Sequence, residues 1–216
     1  MEPNQRLTII FFMTTGLRNL LLTLAFGLCI FRTSAQVTVT NPANTTPNLA
    51  ASYTSLANAI TALNGITAIS GPVTISLAAG NPQTAPVGGY ALTFSAATTA
   101  TNNIVIEGNG NTITSNGGLT VNVFTDAIFK LIGVDYVTLQ NFVMQENPSN
   151  VNTTPATNNM TEWGVALLHS SQTNGAQYNV IQNNTISLNR AYQNSFGIYS
   201  NARHSATAVS AANDIS

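Results

Sequence analysis

Apolar and polar residues alternate in short segments along the chain after Gly71. The alternation is clearest at residues 72–77 (PVTISL), 103–107 (NIVIE) and 127–132 (AIFKLI), where the apolar side chains fall on one face. Asn-Gly and Gly-Asn pairs stand between such segments, and both residue types tolerate the positive φ of a tight corner. The pattern predicts short strands joined by corners, with further strands at residues 90–94, 112–114, 136–144, 163–168, 178–188 and 196–199.

Part of this pattern repeats along the chain. Residues 136–147 (YVTLQNFVMQEN) return 42 residues later as residues 178–189 (YNVIQNNTISLN), with Tyr, Gln and Asn at matching places. An aromatic-Gly-aliphatic triplet also recurs, at residues 163–165 and 196–198. Self-similarity at a fixed spacing is typical of solenoids, in which each unit buries its apolar face against its neighbours.

We therefore predict an all-β fold, a right-handed parallel β-helix, with an antiparallel β-sandwich as the alternative. In a β-helix each coil stacks on the one before, so the repeat sets the register and places equivalent residues above one another. We expect Gln140 and Gln182, and likewise Asn141 and Asn183, to form ladders of side-chain amides at the corners. A sandwich would instead show longer alternating strands with turns about every 8–12 residues.

One segment has the spacing of a helix. Residues 55–64 place Leu56, Ile60 and Leu63 on one face, and an Asn-Gly pair ends the pattern. A solenoid needs its open end covered, because unpaired strand edges promote aggregation. We therefore expect residues 53–71 to form an N-terminal capping region built on this short α-helix.

The first 35 residues have the pattern of an export signal. An apolar core at residues 20–31 follows Arg18, and the small residues Thr33 and Ala35 precede an expected cleavage after Ala35. The core is shorter than the roughly 20 residues of a membrane span. We predict a secreted or cell-surface protein without a membrane span in the mature chain, organised as a signal peptide (1–35), a linker (36–52), the capping region (53–71) and coils (72–216).

Composition narrows the function classes. Only 6% of the residues are charged, against roughly 25% in an ordinary globular protein, and the formal net charge is −1. Nucleic acid is not an expected partner, because the chain has no basic surface to neutralise phosphates. The single cysteine, Cys29, lies inside the apolar core of the signal, so we expect no disulfide in the mature chain.

Five segments carry a resemblance to a known family: YTSLANAITALNG, GPVTISLAAG, NNIVIEGNGNTIT, YVTLQNFVMQEN and YNVIQNNTISLN. Together, over residues 50–205, they resemble the N-terminal part of secreted bacterial proteins with right-handed parallel β-helix repeats of the pectin-lyase-like kind. Many such proteins leave by the type IX secretion system and end in a sorting domain. Residues 201–216 have the pattern of an incomplete coil. We therefore expect this chain to be a fragment of a longer protein, truncated at its C-terminus.

The resemblance also directs attention to carboxylates, since enzymes of this kind that cut acidic polysaccharides use clustered Asp residues with Ca²⁺ and a basic residue. Asp126 and Asp135 flank one predicted strand with Lys130 between them, and they are the candidates for a Ca²⁺ or sugar-acid site. Their alternative role is to cap turns. Glu146 and Glu162 bracket a polar loop and are interpreted as solvated loop residues. We identify no catalytic residue and no other cofactor.

Aromatic residues are the remaining candidates for ligand contact. Trp163 and Tyr199 either pack into the core or stack on sugar rings. Three functions stay open: a non-catalytic scaffold serving adhesion or glycan contact, the N-terminal part of a polysaccharide lyase or glycoside hydrolase whose active coils lie beyond residue 216, and a carbohydrate-binding module. The expected partner is an extracellular polysaccharide or surface glycan, and the sequence leaves open whether the whole protein is an enzyme.

Overall fold

The structure, a computed structural model, describes residues 36–121, 123–154 and 157–205, with side chains up to residue 200. The predicted export signal, with Cys29, and residues 206–216 lie outside the described residues. The described residues belong to one compact unit. Among them, no helix is long and apolar enough to cross a membrane.

A small cap precedes the coils. It contains β1 (Val37–Thr40), a 3-10 turn at Pro42–Asn44, β2 (Thr45–Thr46), β3 (Ser52–Tyr53), α1 (Leu56–Leu63) and β4 (Ala68–Ile69). The predicted helix is present: Ser55 Oγ accepts a hydrogen bond from the Asn58 N–H at 3.1 Å as the N-cap, and the apolar face is buried. The segment predicted as a linker joins the core through Val37, Val39 and Leu49, all of which are buried.

Beyond the cap, the described chain forms four coils, and each coil gives one strand to each of three sheets. In chain order the strands are β5 (Val73–Leu77), β6 (Gln83–Thr84), β7 (Tyr90–Leu92), β8 (Ile104–Glu107), β9 (Thr112–Thr114), β10 (Ala127–Ile132), β11 (Val137–Gln140), β12 (Val143–Gln145), β13 (Trp163–His169), β14 (Val180–Gln182), β15 (Thr185–Ser187) and β16 (Phe196–Ser205). Sheet A contains β5, β8, β11 and β14 of the coils, together with β1 and β3 of the cap. Sheet B contains β6, β9, β12 and β15, and sheet C contains β7, β10, β13 and β16.

Neighbouring coils run in the same direction. Every pairing between strands of neighbouring coils is parallel. In contrast, β1 of the cap pairs with β5 in the antiparallel sense and covers the N-terminal edge of the coils in sheet A. The repeat sets the register as predicted, because Gln140 lies beside Gln182 and Met144 beside Ile186. The fold is therefore a β-solenoid of the parallel β-helix kind, and the β-sandwich alternative is wrong.

Inward-facing side chains stack from coil to coil. Ile75, Ile106 and Leu139 form one such column in sheet A, and all three are fully buried. Phe129 of sheet C lies 5.1 Å, between ring centroids, from Tyr90 in the coil below. Stacking of this kind gives each coil an apolar interior only while its neighbours are in place, so the corners of successive coils are held in fixed positions.

Candidate functional site

The turn from sheet A to sheet B contains a left-handed asparagine in three successive coils. Asn109, Asn141 and Asn183 occupy it in the second, third and fourth coils, with φ values of 50°, 60° and 54°. Asparagine is among the few residues that adopt this left-handed conformation at low cost. Consecutive corners line a groove of about 650 Å³ that crosses the coils. Its lining comprises Ala79, Glu107, Asn109, Gly110, Asn141, Phe142, Val143, Asn183 and Thr185.

The second coil turns more widely than the next one. Glu107 pairs with Gln140 before the corner and Thr112 pairs with Val143 after it, so the second coil has two extra residues between its strands. Gly108 begins this wider corner, and a Cβ atom there would lie 2.5 Å from the backbone oxygen of Asn141. The wider corner therefore requires glycine where it passes the corner of the third coil.

Glu107 is the one charged residue that lines the groove, and its carboxylate is fully engaged. Oε1 accepts hydrogen bonds from the Asn109 N–H at 2.7 Å and from Asn141 Nδ2 at 3.0 Å. Oε2 accepts from Asn141 Nδ2 at 2.9 Å and from Gln140 Nε2 at 2.7 Å. Gln182 Nε2 donates to Gln140 Oε1 at 2.6 Å, which continues the ladder into the fourth coil. The predicted glutamine ladder is thus present, and it ends on a carboxylate.

Asn141 and Asn183 do not form the side-chain ladder that Gln140 and Gln182 form. Asn141 turns its amide group to Glu107, whereas the exposed side chain of Asn183 has no hydrogen-bond partner among the described residues. Asn184, the next residue, connects the coils instead. Its Oδ1 accepts from the Phe142 N–H and its Nδ2 donates to the Leu139 carbonyl, both at 2.9 Å. One asparagine of the pair therefore fixes the corner, and the other faces solvent in the groove.

A second polar cluster lies at the end of sheet C where β10 and β13 begin, and it is enclosed. Glu162 is 1% exposed and Asp126 is 5% exposed. Glu162 Oε2 accepts from the Asp126 N–H at 3.0 Å, and Glu162 Oε1 accepts from the Tyr192 hydroxyl at 2.8 Å. Lys130 is buried nearby, and Asp126 Oδ2 is buried without a hydrogen-bond partner. The interpretation of Glu162 as a solvated loop residue is wrong, because the following strand carries it into the interior.

Burial shifts the protonation of this cluster. It raises the pKa of Glu162 to about 8, although hydrogen bonds from Tyr192 and the Asp126 backbone oppose the change. It raises the pKa of Asp126 to about 6 against the favourable charge of Lys130, and it lowers the pKa of Lys130. Shifted pKa values are common in active sites, but a catalytic group must also be reachable. These carboxyl groups are enclosed, and we interpret them as a structural network.

Glu146 fixes the base of the neighbouring polar loop. Its Oε1 accepts from Asn150 Nδ2 and Thr161 Oγ1, both at 2.7 Å, and from Ser115 Oγ at 2.9 Å. Asn150 and Thr161 lie near the two ends of the loop, and both are buried. The carboxylate therefore closes the loop onto the coils.

The structure separates Asp126 from Asp135. Asp126 precedes β10 and Asp135 follows it, where its Oδ1 accepts from the Gln177 N–H at 2.7 Å. Within the described ranges, no three His, Cys, Asp or Glu side chains are placed to hold a metal ion. Asp126 and Asp135 therefore lie at opposite ends of β10, and Asp135 fastens the corner of the next coil.

The two aromatic ligand candidates lie on each other. The rings of Trp163 and Tyr199 are stacked with centroids 4.3 Å apart, and Trp163 is 3% exposed. The more accessible aromatic pair is Tyr136 and Tyr178, whose rings are stacked at 4.8 Å with Tyr178 67% exposed. The sequence repeat aligns these tyrosines, and Tyr178 belongs to the fourth coil, the last that the structure describes.

Comparisons with protein-family models, curated proteins and solved structures found no match to this chain. The candidate site is therefore defined by its geometry: a corner groove that crosses parallel coils and has Asn109, Asn141 and Asn183 among its lining residues.

Proposed function

We propose that this protein is a non-catalytic, secreted or cell-surface β-helix scaffold that binds a neutral glycan along the groove at the corner between sheets A and B. The observation that carries the proposal is the recurrence of Asn109, Asn141 and Asn183 in one conformation along a groove of about 650 Å³. An amide side chain offers both donors and an acceptor, which suits sugar hydroxyl groups.

The spacing of the groove suits a polymer. Neighbouring strands of a sheet lie about 4.8 Å apart, so equivalent corners recur at that interval. An extended sugar chain also presents hydroxyl groups at regular intervals, and a ligand lying across the coils would meet one asparagine at each of three coils. A small compact ligand would gain nothing from the repetition.

The state of Glu107 supports a binding role over hydrolysis. Acid–base cleavage of a glycosidic bond uses a pair of carboxyl groups flanking that bond. Glu107 is the one carboxylate that lines the groove, and both its oxygens accept hydrogen bonds from the protein. Its role is to organise the donors of the corner, and the exposed side chain of Asn183 is left to contact the ligand.

The export signal predicted for the first 35 residues and the resemblance of residues 50–205 to secreted β-helix proteins support an extracellular setting. Extracellular polysaccharides and surface glycans are abundant partners there. Export by the type IX system is part of the same proposal, because it rests on that resemblance.

Affinity measurements on the full chain test the proposal. Linear neutral glucan, mannan and xylan oligosaccharides are titrated by calorimetry into the wild type, Asn183→Gly and Asn41→Gly. Glycine preserves the left-handed backbone at both sites, and Asn41 (φ 57°) lies in the cap outside the groove. We expect Asn183→Gly to weaken binding roughly three- to tenfold, as for the loss of one polar contact, while Asn41→Gly binds like the wild type. Equal binding by both variants, or release of new reducing ends during the titration, would contradict the proposal.

A further inference from the structure

Small apolar residues lie beside the asparagines in the groove between sheets A and B. They are Ala79 in the first coil, Gly110 in the second and Val143 in the third. None of the three belongs to the buried core of the described chain. In the third coil Asn141 directly follows β11 of sheet A, and Val143 begins β12 of sheet B. The groove thus has an amide side toward sheet A and an apolar strip toward sheet B.

Val143 interrupts a polar row on the outer face of sheet B. In the register of the sheet it lies between Thr112 of the second coil and Thr185 of the fourth. Its side chain is half-buried. Threonine has nearly the same shape as valine and occupies the equivalent place on both sides. Stacking of the coils therefore does not require an apolar side chain at Val143.

Gly110 leaves the middle of the apolar strip open. A Cβ atom at this position would have no other atom within 4 Å, so packing does not exclude a side chain. Its φ of 73° is left-handed, but the preceding residue shows that asparagine fits such a corner, since Asn109 has φ 50°. The glycine therefore leaves free space in the groove that neither packing nor the backbone alone demands.

The amide side is arranged to accept hydrogen bonds. Asn109 Nδ2 donates to the Leu77 carbonyl at 2.6 Å, and Asn141 Nδ2 donates to the two oxygens of Glu107 at 3.0 and 2.9 Å. These partners identify the nitrogen of each amide, because a carbonyl and a carboxylate only accept. No described residue donates to either Oδ1 atom. Two acceptor oxygens are thus held in place before a ligand arrives, so little ordering is lost on binding.

We propose that the groove selects linear glycans whose ring hydroxyl groups are all equatorial, such as β-linked glucan and xylan, over mannan, which has an axial hydroxyl group. This selection rests on the proposed function and narrows its ligand class. A ring with only equatorial hydroxyl groups has C–H bonds on its faces and oxygen atoms at its edges. One face lies on Gly110 and Val143, while an edge donates to Asn109 and Asn141. An axial hydroxyl group would point into the apolar strip and lose its hydrogen bonds.

Calorimetric titration of the full chain with glucan, xylan and mannan oligosaccharides of equal length tests the selection. We expect mannan to bind the wild type roughly tenfold more weakly than glucan and xylan, as for an unpaired hydroxyl group. This comparison needs no variant, so it decides the question whether or not any substitution folds.

Filling the groove tests the placement of the ring. Gly110→Asn suits the left-handed backbone and puts a side chain into the open space, and we expect it to weaken glucan binding roughly tenfold. Gly88→Asn is the matched control, because Gly88 has φ 81° and open space at its Cβ position but does not line the groove. It should bind like the wild type. Val143→Thr should reduce the preference for glucan over mannan.

The outcomes separate the selection from the proposed function. Equal binding of all three glycans by the wild type, or glucan binding by Gly110→Asn as tight as by Gly88→Asn, overturns the selection. If Asn183→Gly still weakens binding in that case, the groove remains the binding site and only its selectivity is refuted. Failure of every oligosaccharide to bind the wild type overturns both.

Discussion

The side-chain amide of Gln182 donates a 2.6 Å hydrogen bond to the side-chain oxygen of Gln140. The two residues are paired across neighbouring parallel strands, and Gln140 passes the connection on to Glu107 at 2.7 Å. Three coils are thereby joined by side chains beside the groove. The ladder connects the sequence repeat to the candidate site, because only coils in this register place the corner asparagines side by side.

Exchanging the hydrogen-bond donor and acceptor between Gln140 and Glu107 tests how much this ladder contributes to stability. Glu107→Gln replaces an acceptor oxygen by an amide group that opposes the donors around it, and we expect a loss of about 1–2 kcal/mol in the free energy of unfolding. The exchange Glu107→Gln with Gln140→Glu restores a donor and an acceptor in the ladder and should recover most of the loss. Urea denaturation measures the free energy of unfolding of both variants. A double variant no more stable than the single one would refute the assignment of Gln140 as donor and Glu107 as acceptor.

The adjacent residues Asn183 and Asn184 should respond differently to truncation. Asn184→Ala leaves the Phe142 N–H and the Leu139 carbonyl without their partner, and we expect a loss of about 1–3 kcal/mol. Asn183→Gly removes an exposed side chain without a protein partner and should stay within about 0.5 kcal/mol of the wild type. Thermal and urea unfolding distinguish the two, and equal effects would show that their roles are not divided in this way.

Stability should depend on pH through Glu162. Its pKa is raised from 4.5 to about 8 in the folded protein, so the folded state holds a proton that the unfolded state releases. The resulting stabilisation is complete below about pH 4.5 and is lost as the pH rises through 8, at about 1.4 kcal/mol per unit of pKa shift. Asp126, raised from 3.8 to about 6, acts in the same direction at lower pH.

The variant Glu162→Gln isolates this effect. Its side-chain oxygen still accepts a hydrogen bond, but it has no proton to lose, so its stability relative to the wild type should increase between pH 5 and pH 9. The lowered pKa of Lys130 is common to both proteins, which makes their difference the measured quantity. Parallel denaturation curves across this pH range, with a constant difference, would show that Glu162 has no raised pKa.

The spacing of apolar residues predicted the strands and the helix well where one face of the element is buried. Thr112–Thr114 and Ala127–Ile132 form strands over the predicted residues, and α1 lies within residues 55–64. The predicted strand at residues 136–144 is divided into β11 and β12, because Asn141 turns the chain there with φ 60°. A single residue in a left-handed conformation is hard to recognise inside an apolar run.

The polar interior was not predictable from local pattern. Glu162 and Asp126 read as surface residues, since carboxylates are rarely buried without partners. Their partners include Tyr192, 30 residues from Glu162 and in the next coil. This network depends on contacts between coils, which the sequence of one coil does not contain.

The in-register stacking of β14 on β11 is the claim on which the groove depends, and a designed disulfide tests it most directly. Thr138 and Val180 are direct partners on β11 and β14, and neighbouring strands about 4.8 Å apart lie within the range for a disulfide. In a Cys29→Ser background, oxidised Thr138→Cys/Val180→Cys should yield the cross-linked peptide by mass spectrometry, while the control Thr138→Cys/Thr185→Cys, which joins sheet A to sheet B, should stay reduced. Free thiols in the first pair, with a cross-link in the control, would contradict the stacking of the fourth coil on the third.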